Sequence, residues 1–107
     1  MAKYLISASY TAEGTKGLIK GGGGTARRTA VQQMAQAIEG KIEAFYYALG
    51  ADDVYVILDA PDNVSAAAIS LVTNASGAVR LKTTPLLTPE EIDQAAKKSV
   101  RYTPPGQ

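Results

Sequence analysis

The middle of the chain reads as a β-hairpin. Ile42 to Leu49 and Val54 to Asp59 are two runs of β-forming residues, and Gly50-Ala51-Asp52-Asp53 between them is a four-residue turn. Each outer end of the hairpin leads away into one helical pattern and then one further strand. That order of elements limits the fold to a few solutions, because connections between neighbouring elements are short and uncrossed.

Upstream, Tyr4 to Tyr10 alternates, with Tyr4, Ile6, Ala8 and Tyr10 on one side and Leu5, Ser7 and Ser9 on the other. Thr11-Ala12-Glu13 caps at most a short helical turn, weakened by Gly14 and Gly17. Gly21 to Gly24 reads as a flexible break. A long helix then starts at Thr25, with Val31, Met34, Ala35 and Ile38 forming one apolar face and Gly40 as its C′ residue. Downstream, Pro61-Asp62-Asn63 stops the strand and supplies an N-cap. The spacing predicts a helix over Val64 to Ala75 that buries Val64, Ala68, Leu71, Val72 and Ala75 and ends at Gly77. Ala78 to Thr84 is the last strand. Thr88-Pro89-Glu90-Glu91 then has the form of a capping box with proline at the first helical position. Ile92, Ala95 and Ala96 give that helix a small apolar face. The order is β-α-β-β-α-β plus a terminal helix, the split βαβ pattern of an α+β, ferredoxin-like fold with a four-stranded antiparallel sheet. Residues 1–99 read as one domain and 100–107 as an extended proline-containing tail.

In such a fold the helices cover one face of the sheet. Alternation in the last strand puts Val79, Leu81 and Thr83 toward the helices and Arg80, Lys82 and Thr84 away from them. By the same rule the open face carries Leu5, Ser7 and Ser9, then Glu43, Phe45, Tyr47 and Leu49, then Tyr55, Ile57 and Asp59. A one-residue slip inverts a strand. This mixed surface is too apolar to leave wet and too polar for a dry core. A second copy of the sheet suits it, enclosing a polar pocket; the plainer alternative is that the terminal helix or tail folds back over it. Ser7, Tyr47, Tyr55, Arg80 and Lys82 are the candidate ligand-binding residues of that pocket.

The 107 residues contain no cysteine and no histidine, and eleven basic residues balance ten acidic ones to a net charge of +1. Thiol nucleophiles, thiolate metal sites, histidine triads and most zinc sites are thereby excluded. The even charge lacks the footprint of a nucleic-acid binder. No apolar run approaches the roughly 18 residues of a membrane span, and no signal peptide is recognisable. The expected location is therefore cytoplasmic, with no nucleic-acid or membrane partner, and the residues require no cofactor.

Three local features carry competing readings. Gly21 to Gly24 with Arg27 and Arg28 reads as a mobile loop or as a phosphate cradle, although it matches neither Gly-Lys-Ser/Thr nor GxGxxG. Arg80 and Lys82 share a face and could hold a carboxylate or phosphate, or pair with Glu43 or Asp59 across the sheet. Asp52 and Asp53 are turn formers that could also hold a hard cation.

Lys3-Tyr4-Leu5-Ile6, Thr11-Ala12-Glu13-Gly14, Gly40-Lys41-Ile42-Glu43-Ala44-Phe45-Tyr46-Tyr47, Leu49-Gly50-Ala51-Asp52-Asp53-Val54 and Pro61-Asp62 together resemble the GYD domain family of small bacterial and archaeal proteins. The resemblance runs to about Thr84 or Leu87. Gly50 and Asp53 match the family's signature turn, and Asp52 stands where its tyrosine is expected. The resemblance implies a dimeric α/β barrel built from ferredoxin-like subunits, hence a homodimer or higher homo-oligomer, and no assigned biochemical function. The expected role is a small oligomeric domain that binds a small ligand between subunits. The alternatives are a cofactor-independent, monooxygenase-like enzyme and a structural assembly subunit whose tail reaches onto a neighbour.

Overall fold

The computed structural model describes residues 1–107. Four strands, β1 (Ala2–Tyr10), β2 (Lys41–Tyr47), β3 (Val54–Ala60) and β4 (Val79–Leu86), form one antiparallel sheet in the order β2-β3-β1-β4. The helices are α1 (Ala12–Lys20), α2 (Gly24–Ala37), α3 (Asn63–Ala75) and α4 (Pro89–Ala96). The α+β, ferredoxin-like expectation holds. The core lies between the sheet and the α2–α3 layer. Tyr4, Ile6 and Ala8 of β1, Val54, Val56, Leu58 and Ala60 of β3, and Val79 and Leu81 of β4 meet Ala35 of α2 and Ala66 of α3. Alternation in three strands is therefore as expected, because each has one face against helices.

Several local expectations are corrected. The segment after β1 is a full nine-residue helix, not a short turn. Thr11 caps it by accepting from the Gly14 N–H at 3.1 Å. Gly14, which looked like a weakness, is buried where a β-carbon would lie 1.9 Å from the Ala78 carbonyl oxygen. The Gly21–Gly24 stretch forms a tight turn between α1 and α2 rather than a loose break. Gly22 and Gly23 take φ of +99° and +84°, and the Gly23 N–H donates to Leu18 O. In α2 the expected face is inward, with Ala35 buried and Val31, Met34 and Ile38 half-buried. After it the left-handed residue is Glu39 (φ 60°). Gly40 is needed for space, since a β-carbon there would sit 2.4 Å from Asp59 O.

The largest correction in the helical layer concerns α3. Val64, Leu71 and Val72 point outward, Leu71 being 72% exposed, and Ala68 and Ala75 are exposed with them. The inward face is Ser65, Ala66, Ile69, Ser70 and Thr73. Small and hydroxylic residues let α3 approach β4 closely. Ser70 and Thr83 share a hydrogen bond of 3.0 Å. The Asn74 side chain pairs with the Leu81 backbone in both directions, accepting from its N–H at 2.9 Å and donating to its carbonyl at 3.2 Å. Asn74 thereby does for edge strand β4 what another strand would do.

The capping box of α4 forms as expected: Thr88 Oγ1 accepts from the Glu91 N–H, and Glu91 Oε1 accepts from the Thr88 N–H. Yet α4 buries none of its residues, and everything after it is exposed. The radius of gyration is 17.0 Å, against about 13 Å for a compact chain of this length. Here α4 and the tail leave the open sheet face uncovered. No helix is long and apolar enough to cross a membrane.

Candidate functional site

On the open face, the strand register brings side chains into transverse rows. One runs Tyr46, Tyr55, Ser7, Lys82 across all four strands, with Arg80 opposite Ser9 beyond it. The next is Ala44, Ile57, Leu5 and Thr84, apolar for three of its four positions. The third is Lys41, Asp59, Lys3 and Leu86. Four of the five expected ligand-binding residues, Ser7, Tyr55, Arg80 and Lys82, therefore neighbour one another on this face.

Tyr47 does not join them. The register shifts between Ile42 and Ala44, leaving Glu43 as the extra residue of a β-bulge. Phe45 pairs with Val56 and Tyr47 with Val54, so both face the helices; Ala44 and Tyr46 take their place on the open face. The expected placement of Phe45 and Tyr47 is thus reversed, and Leu49 lies beyond the strand in the connection. The run Ala44-Phe45-Tyr46-Tyr47 has no polar–apolar alternation, so both phases satisfy it equally. Only the bulge selects one.

Charge on this face gathers at its two ends. At one end Asp59, only 4% exposed, accepts from the Lys3 ammonium at 2.7 Å, and Glu43 accepts from the same ammonium at 2.8 Å. Lys41 lies 4.0 Å from the other Asp59 oxygen. The Asp59 carboxylate, then Glu43, holds the Lys3 ammonium above the ordinary lysine range. At the other end Lys82 pairs with Asp52 at 3.8 Å, and Ser9 donates to Asp52 at 3.1 Å. The cross-sheet partners considered for Lys82, Glu43 and Asp59, are engaged with Lys3 instead. Arg80 is exposed and has no carboxylate within 4.0 Å.

The turn between β2 and β3 docks onto β1. Asp53 accepts from the Tyr10 N–H at 2.9 Å through its side chain, while its backbone donates to Ala8 O at 2.8 Å and accepts from Ala48 at 2.7 Å. Gly50 stands in open space at the turn's tip. Asp52 and Asp53 therefore turn to different partners and do not converge as a cation site.

A second group of polar side chains lies on the helix face and was not assembled from the sequence. Tyr47 meets Phe45 edge-to-face, with ring centroids 5.4 Å apart, and its hydroxyl donates to Gly24 O at 3.2 Å. Gly24 permits this approach, since a β-carbon would come 2.8 Å from the Tyr47 ring. Burial pushes the Tyr47 phenol up to about 12; the adjacent Tyr10 phenol adds to that rise, while Arg27 and Arg28 oppose it. The signal available in the sequence was the glycine run followed by two arginines, but its tyrosine partners come from distant strands. Beside this group an apolar cavity of about 60 Å³ lies between α2, α3 and the sheet, and 14 of its 16 lining residues are hydrophobic.

No curated protein matches this sequence. No solved structure matches it either. The family model of the GYD domain matches residues 4–96, from within β1 to the end of α4, and the chain belongs to the GYD domain family.

Proposed function

We propose that this protein is a homo-oligomeric ligand-binding domain, paired through the open sheet face into an α/β barrel, with a small anionic ligand held between subunits. The observation that carries this reading is the apolar row Ala44–Ile57–Leu5, flanked by Tyr46 and Tyr55 and covered by nothing in its own chain. A two-fold axis through that row lays the same patch on itself, so one contact buries both copies. The charged ends then become the rim, where exposed Arg80 and Lys82 sit beside Ser7 and Tyr55 and can receive a carboxylate or phosphate. Sedimentation velocity at micromolar concentration is expected to give a dimer or larger species, and Ile57→Lys to give a monomer. A wild-type monomer overturns the proposal.

The projecting C-terminal segment favours an additional structural role. Val100 and Tyr102 are exposed along the tail and Ile92 along α4, which suits an arm laid on a neighbouring subunit. Deleting residues after Ser99 should weaken the oligomer; an unchanged oligomer removes this role and leaves the sheet-face dimer standing.

A further inference from the structure

A groove of about 640 Å³ runs between α1, α2 and the C-terminal end of α3, on the side of the molecule opposite the open sheet face. We propose that it binds a small amphipathic monocarboxylate, with the carboxylate on Arg27 and the apolar body reaching toward the space between helices and sheet.

The volume lies within the range of small-molecule sites. The groove adjoins the apolar 60 Å³ cavity beneath α2 and α3, with which it shares Tyr10, Arg27, Met34, Thr73 and Val79. The α1 wall includes Gly14 and Gly17, with Gly21 just past the helix, so at these positions a ligand meets backbone, beside the Glu13 and Leu18 side chains. At Gly17 nothing lies within 4 Å of where a β-carbon would stand.

Arg27 is the one charged residue that lines both spaces. It is half-buried, and no acidic group lies within 4.0 Å of it. With no carboxylate of its own chain beside it, its planar guanidinium fork is free to receive one through two parallel hydrogen bonds. Glu13 also lines the groove but forms no ion pair with Arg27. No lysine lines the groove, and Glu13 repels a second negative charge, which favours a monoanion over a phosphate ester. The residues involved are separate from the open sheet face, so this site does not depend on how that face is covered.

Isothermal titration of the full-length protein with octanoate tests the assignment. One octanoate per chain is expected, with octanamide and octyl phosphate binding more weakly. Arg27→Gln should lower octanoate affinity by about 10-fold or more, the loss of a charge-assisted pair, and Arg27→Lys should recover part of it. Gly17→Leu should abolish binding by filling the groove, with circular dichroism unchanged because the site has room for the side chain. Three results overturn the proposal: no octanoate binding by the wild type at millimolar concentration, binding unaffected by either Arg27→Gln or Gly17→Leu, or octyl phosphate binding tighter than octanoate.

Discussion

Helices α1 and α3 border the same groove and are held in opposite ways. α3 is fastened along its whole length. Asp62 caps it by accepting from the Ser65 N–H at 2.8 Å, Tyr4 donates to Asn63 at 2.6 Å, Ser70 meets Thr83, and Asn74 pairs with Leu81. α1 is fastened at its first turn alone. Thr11 donates through its N–H to Ala78 O at 3.0 Å and through its hydroxyl to Gly77 O at 3.0 Å, and Gly14 presses against Ala78. Beyond Gly14 only Leu18 is half-buried, and Ile19 is 75% exposed. A helix tied along its length closes a core, whereas one tied at one end stands off as the wall of a cleft. The contrast explains why the domain has a filled side and a grooved side in one helical layer.

The strongest way to break the comparison is Gly14→Val. The added β-carbon meets backbone, not a movable side chain, so α1 must leave its anchor; a loss of about 3 kcal/mol or more is expected in urea unfolding, the upper range of overpacking effects. Survival of wild-type stability would show that α1 is not anchored there. Asn74→Ala removes two hydrogen bonds from edge strand β4 and should cost about 2 kcal/mol, with the Leu81 amide exchanging its hydrogen faster. Thr11→Ala removes the cap and the bond to Gly77 and should cost about 1 kcal/mol, with the protection loss confined to α1. Equal loss across α3 would contradict the separate fastening of the two helices.

The smallest expected effect concerns the other groove wall, where Tyr47 holds the start of α2. Its folded pKa, about 12, lies above the ordinary 10. An acid raised in this way contributes stability that is complete below pH 10 and lost as pH rises through 12. Ultraviolet titration of the wild type against Tyr47→Phe should show the Tyr47 phenol ionising late, and Tyr10→Phe should bring it earlier. A Tyr47 phenol that ionises at the ordinary 10 would remove the Tyr10–Tyr47 arrangement.

The extent to which the sequence was legible differed between segments for a physical reason. The capping box at Thr88–Glu91, the alternation of β1, β3 and β4 and the inward face of α2 were all readable, because each is satisfied by neighbours a few residues away or by a continuous one-sided burial. In α3 the apolar pattern pointed to Val64, Leu71 and Val72, and the helix is turned so that Ala66 and Ser70 face β4 instead. The rotation follows from close approach and from hydrogen bonds to Thr83 and Leu81, partners that lie in the next strand. In the candidate site, Ser7, Tyr55, Arg80 and Lys82 were placed on the correct face by simple alternation, while Tyr47 was placed on the wrong one.

The central hairpin shows where the division falls. The sequence alone determined that residues 42–59 form two strands joined by a turn, since β-forming runs and turn residues act over a few bonds. The tertiary structure alone decided the phase of the first strand. The bulge at Glu43 coincides with an ion pair to Lys3, 40 residues away, and with Phe45 and Tyr47 facing the helices. Local chemistry set the elements; contacts between distant residues set which side of each element became the site.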